Sequence, residues 1–330
     1  MTRIIISRTD SIGDVVLTLP LAGLLKKLYP SSEIFFLGSN YTRAIVETSQ
    51  HITGFISWDS LKELSEPGAI SFLEKLNLDT IIHAFPNRKI AKIAFKAKIP
   101  LRIGTSHRWF HWIYCNKLPN FSRKNSNLHE AQLNLKLAEP LGAASDYPLT
   151  EIIDLYGLNN ITSLPEIWKD QIDTDRINVI LHPKSKGSAR EWGLERFGEL
   201  IKILPEEKFK IFVSGTAQEG ELLKDWIQQF PSVHNLTGKL SLSEFIAFIA
   251  SSDALVAAST GPVHIAAALG KRAIGIYPPM RPIHPGRWKP LGKNALFLAL
   301  DKNCEDCKKT QNCECMRMIQ ANQVKKLLNI

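Results

Sequence analysis

No apolar run in this chain approaches the roughly 20 residues that a membrane-spanning helix requires. The first residues, Met1-Thr-Arg-Ile-Ile-Ile-Ser7, pass straight into a strand pattern and leave no room for the charged and apolar regions of a signal peptide. A cytoplasmic protein is expected. Acid is missing as well, in one place: between Thr80 and His129 there is no Asp or Glu. That stretch carries Arg88, Lys89, Lys92, Lys96, Lys98, Arg102, Arg108, Lys117, Arg123 and Lys124, with Trp109, Phe110, Trp112 and Tyr114 among them. A surface of one sign suits an anionic partner, whether nucleic acid or an anionic membrane face. A solvated helix face with a few core aromatics gives the same pattern. Cysteine is scarce, with five in 330 residues, and four crowd into Cys304, Cys307, Cys313 and Cys315. In a reducing compartment such spacing suggests metal before disulfides, yet Cys-x-Cys is cramped for the second half of a zinc site. Zinc ligands and plain thiols both stay open.

The turn after the first strand, Arg8-Thr9-Asp10-Ser11-Ile12-Gly13-Asp14, lacks the G-x-G-x-x-G fingerprint. Nicotinamide and flavin therefore find no support, and no cofactor is expected. Hydrophobic residues make up 44% of the chain, enough for two cores, and the formal net charge is +9.

Short apolar strands alternate with helical patterns in two runs, which argues for parallel sheets covered by helices on both faces. Strands are expected at Arg3–Ser7, Ile34–Leu37, Gly54–Ile56, Thr80–His83 and Leu101–Gly104. A second set follows at Ile177–Leu181, Lys210–Val213, Val233–Leu236, Ala254–Ala258 and Ala273–Tyr277. Helices are expected over Asp14–Leu28, Tyr41–Ser49, a stretch broken near Pro67-Gly68, Lys89–Lys96 and Leu128–Leu141. In the second half they are expected near Glu195–Leu204, Glu219–Phe230 and Val324–Leu328. Ser241 and Glu244 spell a capping box that opens one more. The domains implied are residues 1–150, a connection over 151–175, residues 176–315 and a closing helix over 316–330.

The chain's focal stretch is Ser259-Thr260-Gly261-Pro262-Val263-His264, between an apolar strand and an Ala-rich helix closed by Gly270. Pro262 suits the first helical turn and Gly270 the position just past the end. Such a βα turn aims backbone N–H groups and the helix dipole at one point, which suits a phosphate. Thr260 and His264 can both donate there, although an ordinary βα turn shares the spacing. The loop His182-Pro-Lys-Ser-Lys-Gly-Ser-Ala-Arg190-Glu-Trp192 can cradle a diphosphate through its backbone N–H groups, helped by Ser185, Lys186 and Ser188. Asp14 stands at a helix start, where capping is a common use of Asp. Asp173-Thr174-Asp175 has the spelling of a metal-binding Asp-x-Asp. It precedes a strand rather than following one, and reads as solvated linker.

The segments "STGPVHIAAALG", "IGIYPPMRPIHPGRW", "SIGDVVLTLP" and "AREWGLERFGELI" closely resemble the signature of glycosyltransferase family 9, the heptosyltransferase-like enzymes of lipopolysaccharide core assembly. The resemblance implies a GT-B α/β fold, two doubly wound Rossmann-like domains facing a central cleft, with the last helix crossing back onto the first domain. It implies inverting, metal-independent transfer of a sugar, heptose from ADP-heptose being favoured, onto an anionic lipid-linked glycan at the inner membrane face. Asp14, the Asp of the "GD" pair, is then the base that takes the acceptor's proton. Arg190 stands where relatives carry a Lys that neutralises the departing diphosphate. Glu219 is the nearest match to a ribose-binding Glu, although complementing a helix dipole would explain it as well, and Lys239 matches a stretch along the base. Ser259 departs from the Asp that many relatives have before Thr-Gly, so the donor's identity is in question while phosphate binding by Thr260, Gly261 and His264 is not. Gly13, Arg88, Lys89 and Lys92 are the acceptor-side candidates. Arg281, His284 and Arg287, in the Pro-rich segment, can reach donor or acceptor, or can belong to a rigid loop. Two rivals remain: a nucleotide-sugar epimerase of the same fold, and a nucleic-acid-binding protein, for which the sequence holds no recognised module.

Overall fold

The computed structural model describes residues 2–124, 126–281, 283–301, 304 and 314–329. The chain divides into two compact units, Met1–Asn160 and Ile161–Ile330. In the first, β1 (Arg3–Ser7), β2 (Glu33–Gly38), β3 (Gly54–Ser57), β4 (Thr80–His83) and β5 (Leu101–Ile103) form one parallel sheet in the order β3-β2-β1-β4-β5. Ile4, Ile5 and Ile6 in central β1 are fully buried, as β-branched residues must be in a parallel strand covered on both faces.

The second unit has β6 (Ile177–His182), β7 (Phe209–Val213), β8 (His234–Asn235), β9 (Ala254–Ala258), β10 (Arg272–Ile276) and β11 (Ala295–Leu298). Their order is β11-β10-β9-β6-β7-β8, all parallel. The edge strand β11 is not among the expected strands, because its partly exposed Ala-Leu-Phe-Leu has no clear alternation. Both sheets are doubly wound, and this is the GT-B type of fold. In each, strand order reverses beside the first strand, between β1 and β4 and between β6 and β9. Ligands of open α/β sheets bind outside the carboxyl ends of strands at such a reversal.

Prolines account for the helix boundaries that differ from expectation. The single helix expected over Asp14–Leu28 is two, Ile12–Val16 and Leu19–Leu28, with Pro20 in the first turn of the second. Proline has no N–H to give and its ring clashes with the preceding turn, so the helix must restart there. Pro67 and Gly68 do not break a helix. They lie in the first turn of Glu66–Lys75, where the N-cap Ser65 accepts from Gly68 N. Pro140 converts the end of the expected Leu128–Leu141 helix into 3-10 geometry after Glu130–Leu135.

Within the expected connection, helix Glu166–Lys169 packs on helix Leu242–Ser251 and Thr162 hydrogen-bonds Ser243 at 2.9 Å. The closing helix is Ala321–Leu328. It packs within the second unit against Leu194–Ile203 and β10, with Val324 and Leu328 fully buried in that core. Cys315 is buried in the same core and Cys304 packs on it, whereas Cys307 and Cys313 lie outside the described residues. Among the described residues no helix is long and apolar enough to cross a membrane.

Candidate functional site

At the reversal point of the first sheet, β1 delivers Ser7 and Arg8 beside the end of β4. Arg8 is 3% exposed, yet it is fully charged in character, because three carboxylates meet it. Its Nε donates to Asp10 Oδ1 at 2.8 Å, one Nη to Asp10 Oδ2 at 3.0 Å and to Asp14 Oδ1, and the other Nη to Glu130 Oε1 at 3.1 Å. Burial opposes the charge, but Asp14, Asp10 and Glu130 outweigh it and raise the Arg8 pKa. Arg123 supplies the second cation, on Glu130 and, at 2.9 Å, on Asn134 Oδ1. Asn134 is anchored in turn by donating to Leu17 O and Thr18 Oγ1. Two guanidiniums thus face three carboxylates. The remaining negative charge shows at Asp10, where burial first and Asp14 second push the carboxyl up to about 6 against the pull of Arg8.

Asp14 does not cap its helix. Ser11 holds the N-cap position, and the Asp14 carboxylate is turned to Arg8 and to the Ser11 hydroxyl, with 20% of its side chain open to solvent. Gly13 is buried in the same helix turn. Nothing local in the sequence brings Arg8 together with Glu130 and Asn134, more than a hundred residues on. Glu130 did leave one signal there, as the first acid after the long acid-free stretch.

Next to this network, His83 ends β4 fully buried, and neither ring nitrogen has a partner among the described residues. Its ring stacks on His111 with centroids 5.7 Å apart. His111 Nδ1 donates to Thr105 O at 2.9 Å, and Gly104 leaves room for that ring, since a Cβ there would lie 2.6 Å from Nδ1. Burial, and after it His111 and Arg102, hold the His83 pKa down to about 3. Lowered from 6.5, it makes the folded state poorer in protons than the unfolded one. Its contribution is complete above about pH 6.5 and is lost as pH falls from there towards 3. A His83→Leu variant should be no less stable than the parent at pH 7, because two unpaired nitrogens leave the core, and should lose less stability between pH 6.5 and 4.5. Urea titrations at the two pH values measure this; an unchanged acid slope would rule His83 out as its source.

The acceptor-side cations are only partly available. Lys92 Nζ pairs with Glu66 Oε2 at 2.7 Å and Lys96 with the other oxygen, and these two bonds pull the Glu66 pKa down to about 2. The acid missing from the sequence stretch therefore arrives from a neighbouring helix. Lys89 donates to Lys62 O at 3.1 Å, whereas Arg88 is exposed and stacks on Trp109 at 4.8 Å.

The second unit's reversal point collects the other candidates. Thr260 is the N-cap of helix Gly261–Ala268, with Pro262 in the first turn and no side chain capping it. Gly270 follows with φ of +74°, the left-handed turn for which glycine is suited. Thr260 and His264 are both buried, and Thr260 Oγ1 donates to Ala258 O at 3.3 Å. Backbone N–H groups of the first turn are left to meet an anion. Ser259 donates to the buried Tyr277 hydroxyl, which itself donates to Trp288 O at 2.6 Å. The Pro-rich segment is thereby tied to the focal turn. Arg287 stacks on Trp288 at 4.7 Å, and His284 is lowered by burial and by Arg281 and Arg287.

In the loop after β6, Ser185 is used inside the loop. Glu191 Oε1 accepts from Ser185 N at 3.0 Å and Ser185 Oγ at 3.1 Å, while Glu191 Oε2 pairs with Lys184 Nζ at 3.0 Å. Trp192, fully buried, closes the loop by donating to Ile319 O at 2.8 Å. Between these fixed points Lys186 and Gly187 are exposed in left-handed backbone, φ +48° and +78°, and Arg190 is partly exposed. Glu191 as the loop's organiser had no signal beyond its place beside Trp192.

After β7, Glu219 forms a capping box with Thr216: Oε2 accepts from Thr216 N at 2.7 Å and Oγ1 at 2.9 Å. Its other oxygen is buried without a partner among the described residues. His182 Nδ1 lies 3.0 Å from Ser214 Oγ, and burial lowers its pKa to about 4 against the opposing pull of Glu219 and Glu191. Exposed Lys239 follows Gly238, which lies against Ala217 at the start of the Glu219 helix. Asp173 accepts from Asp175 N and Arg176 N at 3.0 Å and pairs with Arg176, a closed turn before β6.

A family model described as glycosyltransferase family 9 (heptosyltransferase) matches residues 71–316. The chain is 22% identical to the lipopolysaccharide core heptosyltransferase OpsX of Haemophilus influenzae, over 87% of its own length and 82% of that protein's. The structure of ADP-heptose lipopolysaccharide heptosyltransferase II of Escherichia coli superposes with a TM-score of 0.79 at 19% identity, covering 100% of this chain and 98% of that one. The E. coli heptosyltransferase WaaC with ADP gives 0.73 at 20% identity, covering 99% of each chain.

Proposed function

The chain belongs to glycosyltransferase family 9, and we propose that it moves heptose from ADP-heptose to an anionic, lipid-linked glycan of the lipopolysaccharide core, with inversion and without a metal. The observation that carries this reading is the Asp14 carboxylate, partly open to solvent and held by Arg8 and Ser11 rather than spent on a helix cap. The acceptor hydroxyl oxygen attacks the anomeric carbon, the bond from that carbon to the diphosphate oxygen breaks, and the hydroxyl proton passes to Asp14. ADP leaves with the electron pair. Arg8 is a positioning residue here: it fixes the carboxylate's orientation.

The second unit holds the donor. N–H groups at the start of helix Gly261–Ala268, with Lys186 and Arg190 from the loop after β6, meet the diphosphate charge. Arg190 in place of the relatives' Lys presents a planar fork suited to two phosphate oxygens. Glu219 offers the oxygen that has no partner among the described residues to the ribose hydroxyls, and Lys239 stands beside the base. Ser259, drawn to Tyr277, gives the sugar a hydroxyl contact where many relatives have a charge.

Nucleotide diphosphates test the donor half directly. ADP at a hundredfold excess over its Kd should stabilise the native state by about 2.7 kcal/mol, and should raise the melting temperature more than UDP, GDP or CDP. Equal shifts for all four would remove the ADP assignment. Turnover of the sugar nucleotide with no glycan present would favour the epimerase reading instead.

A further inference from the structure

We propose that the surface around Trp109, Trp112 and Ile113 docks the first unit on an anionic lipid bilayer. These side chains are 61%, 67% and 54% exposed, and Phe95 beside them is 45% exposed. A lone exposed apolar residue is ordinary, but four grouped on two packed helices are not. Backbone bonds wind residues 108–114 into a helical turn, from His111 N to Arg108 O through Tyr114 N to Phe110 O. At that spacing Trp109, Trp112 and Ile113 share one face. Phe95, on helix Arg88–Lys96, joins them through Tyr114, with ring centroids 5.8 Å apart.

The inward side of this turn is anchored, so the outward face is built rather than loose. His111 is fully buried on the imidazole of His83, and its ring bonds Thr105 O. Trp112 Nε1 donates to Ser106 O at 2.8 Å, which satisfies the indole N–H while its ring stays outside. Trp109 is braced by the Arg88 guanidinium.

Charge complementarity identifies the occupant. Lys98, Arg108 and Lys117, close along the chain to Phe95, Trp109 and Ile113, are exposed, and among the described residues no carboxylate pairs with them. Glu66 is the acid that reaches helix Arg88–Lys96, and it is used up by Lys92 and Lys96. Indole rings favour the bilayer interface and Lys and Arg favour anionic headgroups. A nucleic acid would use the rings as stacking platforms. Ile113 has no π-face, and one face of Trp109 is already taken by Arg88, so the lipid surface is the better match.

This inference rests on the transferase reading only for the identity of the acceptor's membrane, and vesicle binding is measured with neither donor nor acceptor present. A chain that transfers no sugar still reports on the surface, and one that transfers sugar but ignores vesicles overturns the surface alone. The full chain should co-sediment with vesicles of three parts phosphatidylcholine to one part phosphatidylglycerol, weakly with phosphatidylcholine alone, and less as salt is raised. The double variant Trp109→Ser/Trp112→Ser should lower partitioning roughly tenfold or more with an unchanged melting temperature. Lys98→Glu/Arg108→Glu should lower it on anionic vesicles by a similar factor, and serves if the first variant folds poorly. Leu222→Ser, which removes a 71% exposed leucine from the second unit, should change nothing. The proposal is overturned if the parent protein ignores anionic vesicles, if Leu222→Ser loses as much as the others, or if the Trp variant loses RNA affinity in place of vesicle binding.

Discussion

Asp14→Asn lowers kcat by about 10²- to 10⁴-fold, the range that a positioned general base supplies. The substitution is nearly isosteric. The amide that replaces the carboxylate keeps an oxygen for Arg8, and its NH2 can donate to a rotated Ser11 hydroxyl, so the network around it should survive and stability should change little. Donor binding, assigned to the other unit, should be unaffected: the ADP-induced thermal shift and the KM for the sugar nucleotide stay at parental values while turnover collapses. That split matters, because a misfolded variant would lose both. One further consequence can be measured. Asp10 is held up to about 6 by burial and by the charge on Asp14, so removing that charge should lower it, visible in the carboxyl titration of an isotopically labelled sample. If Asp14→Asn retains turnover within tenfold of the parent, the proton goes elsewhere and the catalytic assignment is wrong.

Arg8→Met should be the most destabilising single change in the first unit. It leaves Glu130, fully buried, with Arg123 alone, and leaves Asp10 and Asp14 facing each other without their shared cation. Breaking a buried ion pair from one side costs about 3–5 kcal/mol, which corresponds to a fall of roughly 6–20 °C in melting temperature. The pH dependence fixes the cause. Asp10, held up to about 6 even with Arg8 beside it, rises further once that pull is removed. This part of the penalty is complete above the raised folded value and shrinks as pH falls through it and the carboxyl protonates. Urea titrations at pH 8 and pH 5 should therefore show the gap to the parent narrowing at the lower pH. Arg8→Lys should fall in between, because a single ammonium cannot reach three carboxylates in the directions that the fork serves. A gap under about 1 kcal/mol at pH 8, or one that widens on acidification, would mean that the network does not hold the loop.

Much of the second unit was legible along the chain. The strand Ala254–Ala258, Pro262 in the first turn, Gly270 in left-handed backbone and the Ser241–Glu244 capping box all follow from local preferences, which neighbours a few residues away are enough to satisfy. The same local logic placed Asp14 at a helix start but suggested a cap, because the alternative partner comes from elsewhere. Arg8 and Asp14 are close in sequence, yet the burial that makes their contact strong depends on Glu130 and Asn134, more than a hundred residues away. The acid-free stretch is only in part what its composition suggests. Counted along the chain it is uniformly basic, while in space Glu66 neutralises Lys92 and Lys96.

The sequence by itself determined the two alternating runs, their parallel sheets and the turn suited to a phosphate, since strand periodicity, helix caps and the φ range of proline and glycine are properties of short segments. Tertiary structure decided which of the candidate groups remain available to a ligand. It committed Lys92 to Glu66, an acid on another helix, and packed the closing helix on Leu194–Ile203 and β10. It also left Asp14 partly open and one oxygen of Glu219 unpartnered among the described residues. A buried polar atom takes whichever partner the packing brings within about 3 Å, and that choice is made by residues distant in the chain.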